Sequence, residues 1–430
     1  MWNRKVQYLS LYSYQMTSQK ILHVIASLNP VLGGPMQGLR NYLPAIYKKG
    51  FQNEVVCLDD PKAPFIGKDS FITHAVGPSN NPWSYSARLV PWLQRNLQRF
   101  DVVIIHGLWQ YHGFAVHRAV SHLKKQKSGH IPDVFVMAHG MLDPYFQKAP
   151  ERKWKALRNI VYWKMIESKV VNHANAVLFT CAEELRLARQ TFPSYKPKEE
   201  INIGYGIAEP PAFTQTMADA FAVHCPKEVK DQPFLLFISR IHPKKGIDLL
   251  IKAYAEIQSS STDPETGAAA RKIPFLIIAG PGLDTAYGQQ MQKLVQQLGL
   301  TKTVFFPGML MGDAKWGAFY ACDAFVLTSH QENFGIAVAE ALACQKPVLI
   351  SDQINIWREI KEAGGGFVAA DTLPGAASLL RQWMQLAEDE RRACGRAARA
   401  CYEKHFAVEI AAGRMLKAIL KDKVVSREVV

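Results

Sequence analysis

The chain has 430 residues, 48% of them apolar and 20% charged. At about 100 to 200 residues per domain this length sets two or three domains, and the composition excludes a collagen, a coiled coil or a low-complexity chain. The net charge of +14 is uneven: residues 1–210 hold 26 Lys+Arg against 14 Asp+Glu, and residues 211–430 hold 25 against 23. An anionic partner is therefore expected on the first half, whether nucleic acid, a phosphate-bearing substrate or an anionic membrane leaflet, with a merely solubilising surface as the alternative.

The opening MWNRKVQYLSLYSYQMTSQK is too rich in Tyr, Ser and Gln for a secretory signal, and residues 1–19 are read as a loose extension. No apolar run approaches the roughly 18 to 20 residues that span a bilayer. Seven scattered cysteines without a C-x-x-C pair argue against a disulfide framework or a structural zinc, and for a reducing, cytoplasmic setting.

Apolar, β-branched runs then alternate with helix-length amphipathic stretches, the pattern of parallel βαβ units. Strands are expected at 20–26, 54–58, 101–106, 133–139, 176–180 and 201–203, and again at 234–239, 275–280, 304–307, 324–328, 347–351 and 367–369. Two sets of six predict an α/β protein of two doubly wound domains, 20–210 and 211–405, joined near the Pro-containing 208–232. A closing helix at about 406–430 could return to the first domain. Ligands of such sheets bind beyond the carboxyl ends of the strands, so two facing sheets predict a cleft between them.

Candidate functional residues fall at these strand ends. Gly33 and Gly34, in ASLNPVLGGPMQGLRNYL, separate the first strand from a helix; a glycine pair there can approach a phosphate or simply make a turn. His106 and His139 each end a strand. Residues 151–171, ERKWKALRNIVYWKMIESKVV, carry six basic residues against two acidic, with Trp154, Tyr162 and Trp163 interleaved. That suits a membrane-surface helix, or an ordinary helix whose aromatics are core. In FLLFISRIHPKKGIDLLIKAYAEI a strand delivers Arg240 to its end, with Lys245 and Gly246 before a helix. Two cations there can neutralise a diphosphate, the Arg by forked hydrogen bonds and the Lys as a point charge, or be ordinary surface charges. In LTSHQENFGIAVAEALACQKPVLIS a strand gives way to Glu332, Asn333, Phe334 and Gly335, and a helix opens at Ile336 and carries Glu340. Glycine before a helix lets a ligand reach backbone N–H groups at a positive dipole end. The two glutamates, roughly 12 Å apart if helical, could hold the ends of an extended ligand, or be a cap and a solvated face.

This last segment resembles the donor-binding signature of glycosyltransferase family 4, retaining enzymes of GT-B architecture. In it a Glu, seven residues and a second Glu precede A-x-A-x-G-x-P-V. Gln345 stands at the usual glycine, a position in a turn. The 234–257 segment resembles the family's G-R-L-x-x-x-K-G, with Ser239 for the first glycine, and Gly33–Gly34 its N-terminal loop. In INIGYGIAEPP, Tyr205 and Ala208 replace the family's Asn and Asp.

The resemblance implies a retaining hexosyltransferase using a nucleotide diphosphate sugar and a glycan or lipid-linked acceptor, in cell-surface polysaccharide or glycolipid synthesis. It implies catalytic roles for Glu332, Arg240, Lys245 and His139, the last facing the donor sugar, with His106 as second choice. Donor contacts are implied for Asn333, Phe334, Gly335, Ile336, Glu340, Gly33 and Gly34, and for the backbone of Gly308, Met309 and Leu310 against the base. No metal and no other cofactor is expected, because side chains supply the cations and no D-x-D pattern occurs. A cytoplasmic protein, peripheral on the inner face of the membrane through its basic half, fits this reading; nucleic acid is not expected. A GT-B sugar-nucleotide epimerase, a glycan phosphorylase and a non-catalytic nucleic-acid or membrane binder are the alternatives.

Overall fold

The computed structural model describes residues 19–32, 34–79, 81–127, 129–148, 153–260 and 273–420. Seven strands form the first sheet: β1 (Lys20–Ile25), β2 (Gln52–Cys57), β3 (Ile72–Ala75), β4 (Val102–His106), β5 (Asp133–Met137), β6 (Ala176–Phe179) and β7 (Glu200–Asn202), in the order β3-β2-β1-β4-β5-β6-β7. Six form the second: β8 (Phe234–Ile238), β9 (Phe275–Ala279), β10 (Val304–Phe305), β11 (Ala324–Leu327), β12 (Val348–Ser351) and β13 (Gly366–Ala369), in the order β10-β9-β8-β11-β12-β13. The pairs from β3 through β5 are parallel, as are all pairs of the second sheet.

Strands such as VVIIH and FLLFI read as unbroken apolar runs because both faces of a parallel sheet are covered by helices, and β4 is buried throughout. β3 was not expected. It is short, borders only β2 and is nowhere fully buried, so ITHA lacks the apolar run that marks its neighbours.

By its internal contacts the chain divides into two compact units. One holds the described residues up to Met137 with Tyr162–Val177 and Lys196–Glu199; the other holds Ala138–Val161, Leu178–Tyr195 and everything from Glu200 onward. The loops after β5 and β6 thus group with the second sheet, and so does the helix Val408–Leu420, which the sequence reading offered to the first domain. In the second unit Ile207 bridges to Ala407, and Tyr402 donates to the Ile207 carbonyl at 3.0 Å. Among the described residues no helix is long and apolar enough to cross a membrane.

Gln345 lies between the helix Ile336–Ala343 and β12, with φ 61°. A side chain in the left-handed region costs about 1 to 2 kcal/mol, partly offset in a glycine by greater freedom of the unfolded chain. Gln345→Gly is expected to raise stability by about 1 kcal/mol, read as a higher urea midpoint; an unchanged or lower midpoint would show that this backbone carries no such strain.

Candidate active site

The order of the second sheet reverses between β8 and β11, and their carboxyl ends meet at this switch point, where open α/β sheets place ligands. β8 is followed by Ser239 and Arg240, then by a 3-10 turn Pro243–Lys245 and Gly246 in left-handed conformation at φ 62°. β11 ends in a loop, Thr328 to Gly335, whose last residue (φ 81°) caps the helix Ile336–Ala343.

The two loops are laced together. The His330 amide donates to the Lys244 carbonyl at 2.9 Å, and the Thr328 hydroxyl to the Gly246 carbonyl at 2.8 Å. A Cβ on Gly246 would lie 2.0 Å from the Thr328 carbonyl oxygen, so only glycine allows this approach. Lys245, buried, forms an ion pair with Glu332. The backbone of Glu332 is held by Gln353 and Asn355, at 2.9 and 3.0 Å, which fixes the origin of its side chain. Arg240 is exposed and forms no ion pair among the described residues.

Lys244, which the sequence reading passed over for its neighbour, belongs to the same cluster. Its Nζ lies 5.4 and 5.0 Å from the Tyr145 and Phe146 rings. Burial, with Lys245 and Arg240 adding repulsion, pushes its ammonium down to about 8, against the pull of Glu332 and Asp143. A K-K dipeptide before glycine is the signal that could have named it. Gln331 donates to Asp143 at 2.8 Å, and His330 pairs with Asp371 at 2.9 Å.

The turn after His139 packs against the loop that carries Glu332. His139 follows β5 with φ 51°, and a Cβ on the adjacent Gly140 would lie 2.6 Å from Asn333. Asn333 donates to the Thr180 hydroxyl at 3.0 Å; Glu184, buried, accepts from the Gly140 and Thr180 amides at 2.5 and 2.7 Å. Desolvation pushes the His139 imidazole down to about 3, so it is neutral at pH 7 and suited to hydrogen bonding rather than to carrying charge.

Other expected residues are placed differently. Phe334 is 5% exposed, its ring 4.8 Å from Tyr205 and 5.6 Å from Phe406, so the side chain is core and only its backbone is left to a ligand. Leu310 is likewise buried, whereas Met309 is exposed and Gly308 (φ 81°) accepts from the Gly280 amide at 2.8 Å. Ile336 is half-buried at the helix start. Glu340 pairs with Lys315 at 2.7 Å, a partner the sequence reading did not identify.

In the first unit, His106 is a core residue. It is 2% exposed, 3.0 Å from the His23 ring nitrogen and 3.4 Å from the Tyr42 hydroxyl, in a buried polar network that Asn53 extends through His23. Gly34 opens the helix Gly34–Lys48 and has open space where a Cβ would stand; Gly33 lies outside the described residues. Among the described residues no group of three or more His, Cys, Asp or Glu is placed to hold a metal ion.

Residues 224–400 match the family described as glycosyl transferases group 1, and residues 33–200 the glycosyl transferase 4-like domain. The chain is 31% identical over 173 residues to a D-inositol 3-phosphate glycosyltransferase of Thermomonospora curvata, covering 39% of this chain and 38% of that protein. It is 27% identical to an uncharacterized glycosyltransferase of Methanocaldococcus jannaschii, over 40% of this chain and 41% of that one. The chain thus spans about two fifths of the length of these curated relatives. Sucrose-phosphate synthase of Thermosynechococcus elongatus superposes with a TM-score of 0.68 at 19% identity, covering 93% of this chain and 98% of that one. Anabaena HepE, solved with UDP and glucose, gives 0.68 at 17% identity, over 93% and 99%. The fold is GT-B, two Rossmann-like parallel-sheet domains. The chain belongs to the glycosyltransferases of the family 4 type.

Proposed function

We propose that this protein is a retaining glycosyltransferase that moves a hexosyl unit from a nucleotide diphosphate sugar to a hydroxyl of a glycan or lipid-linked acceptor, in the synthesis of cell-surface polysaccharide or glycolipid. The observation that carries this reading is the Lys245–Glu332 pair at the switch point, beside Arg240 and the glycine-capped helix start at Gly335. These groups supply what a departing diphosphate needs: a point charge, a forked donor and free backbone N–H groups. The acceptor oxygen bonds to the first carbon of the sugar on the face from which the diphosphate leaves. Its proton passes to a departing phosphate oxygen, and Arg240, Lys245 and the helix start take up the developing charge. The neutral His139 hydrogen-bonds a sugar hydroxyl. The side-chain cations take the place of a metal ion.

The HepE structure's UDP and glucose make UDP-glucose the first donor to test, with GDP-mannose and ADP-glucose beside it. The matching donor is expected to raise the melting temperature, a gain of about 2.7 kcal/mol at a hundredfold excess over Kd. Nucleoside diphosphate release should continue in EDTA. Absence of a shift with every donor would overturn the donor assignment; release abolished by EDTA and restored by manganese would overturn the metal-free mechanism.

A further inference from the structure

Glu184 is the third residue of the helix Ala182–Ala188, a position from which a glutamate ordinarily reaches back to the amide of the cap residue. Here it reaches further. The cap, Cys181, receives the Glu184 amide on its sulfur, while the Glu184 carboxylate accepts through Oε2 from the Thr180 amide at 2.7 Å and the Thr180 hydroxyl at 2.6 Å. Its Oε1 crosses to the loop after β5 and accepts from the Gly140 amide at 2.5 Å. The Thr180 hydroxyl in turn accepts from the Asn333 side chain at 3.0 Å. One carboxylate thus joins the loops that follow β5, β6 and β11, at the neighbours of His139 and Glu332. It is 3% exposed and pairs with no cation among the described residues. Burial pushes its carboxyl up, and the donors aimed at its oxygens oppose that shift.

We infer that Glu184 is a positioning residue of the transfer reaction, which holds the turn carrying His139 in register with the loop carrying Glu332. The inference rests on the transferase reading. A helix cap does not explain the charge, because glutamine serves the same position and a buried carboxylate without a cation is costly. What the carboxylate adds is two acceptor oxygens for three donors, where glutamine offers one.

The test uses whichever of UDP-glucose, GDP-mannose and ADP-glucose stabilises the wild-type chain. Glu184→Gln is expected to lower kcat for nucleoside diphosphate release roughly a hundredfold, while the free nucleoside diphosphate binds as it does to the wild type. In a His139→Ala background the same substitution should add little, since both act on one group. Thr180→Val, which cuts the link to Asn333 and keeps the amide bond to Glu184, should lower kcat in the same sense and keeps the test open if Glu184→Gln does not fold. Unchanged turnover in both variants, diphosphate affinity that falls in step with turnover, or an effect that simply adds to that of His139→Ala would overturn the positioning role and leave the transferase reading standing. A wild-type chain that binds none of the three donors would overturn both.

Discussion

Lys245→Ala is expected to lower turnover of the nucleotide sugar on the order of a hundredfold or more, measured as nucleoside diphosphate release, with cooperative thermal unfolding retained. The Lys245 ammonium sits at the sheet's switch point, buried and paired with Glu332. In such partly dry surroundings a fixed charge acts on a departing phosphate far more strongly than in water. In the proposed mechanism, removing it takes away a transition-state cation and leaves the Glu332 carboxylate to repel the phosphates. Lys245→Arg should also be impaired, because a broad planar fork does not replace a compact ammonium in a buried slot. Near-normal release by Lys245→Ala would sink the site assignment.

Gly246→Ala should destabilise the protein by about 3 kcal/mol or more. The left-handed backbone contributes part, and the rest comes from a methyl group 2.0 Å from the Thr328 carbonyl oxygen, where backbone must move against backbone. Gly308→Ala is the control: its φ is 81° with nothing within 4 Å of the added carbon, so only about 1 to 2 kcal/mol is expected. Chemical denaturation of both variants measures the difference; equal losses would mean that the contact with Thr328 contributes nothing.

The fold was legible where strands are buried on both faces, because parallel sheets write themselves as apolar runs; β3, an edge strand, left no such run. Lys245, Glu332 and Gly335 were legible as strand-end residues before a turn or helix. The pairing of Glu340 with Lys315 was not, since it joins residues on different helices and no local pattern encodes it. His106 and His139 look alike in the sequence, each closing a strand before glycine. What separates them is non-local: His23 and Tyr42 surround the first, and Asn333 lies against the glycine that follows the second. Phe334 and Leu310 sit within runs of expected contact residues, but their apolar side chains turn inward, as burial dictates.

Three rings from distant parts of the chain, Tyr205, Phe334 and Phe406, pack together at the loop that carries Glu332 and Gly335, Phe334 tilted against Tyr205 and edge-on to Phe406. The segment matching the group 1 family, 224–400, contains just one of them. A fragment trimmed to those bounds would keep all six strands of its sheet and every charged side chain named around the switch point except Asp143 and Glu184. Yet two of the three rings would be missing, leaving Phe334 without its Tyr205 and Phe406 neighbours. Autonomy for the half built on the second sheet therefore begins no later than Tyr205 and ends no earlier than Phe406.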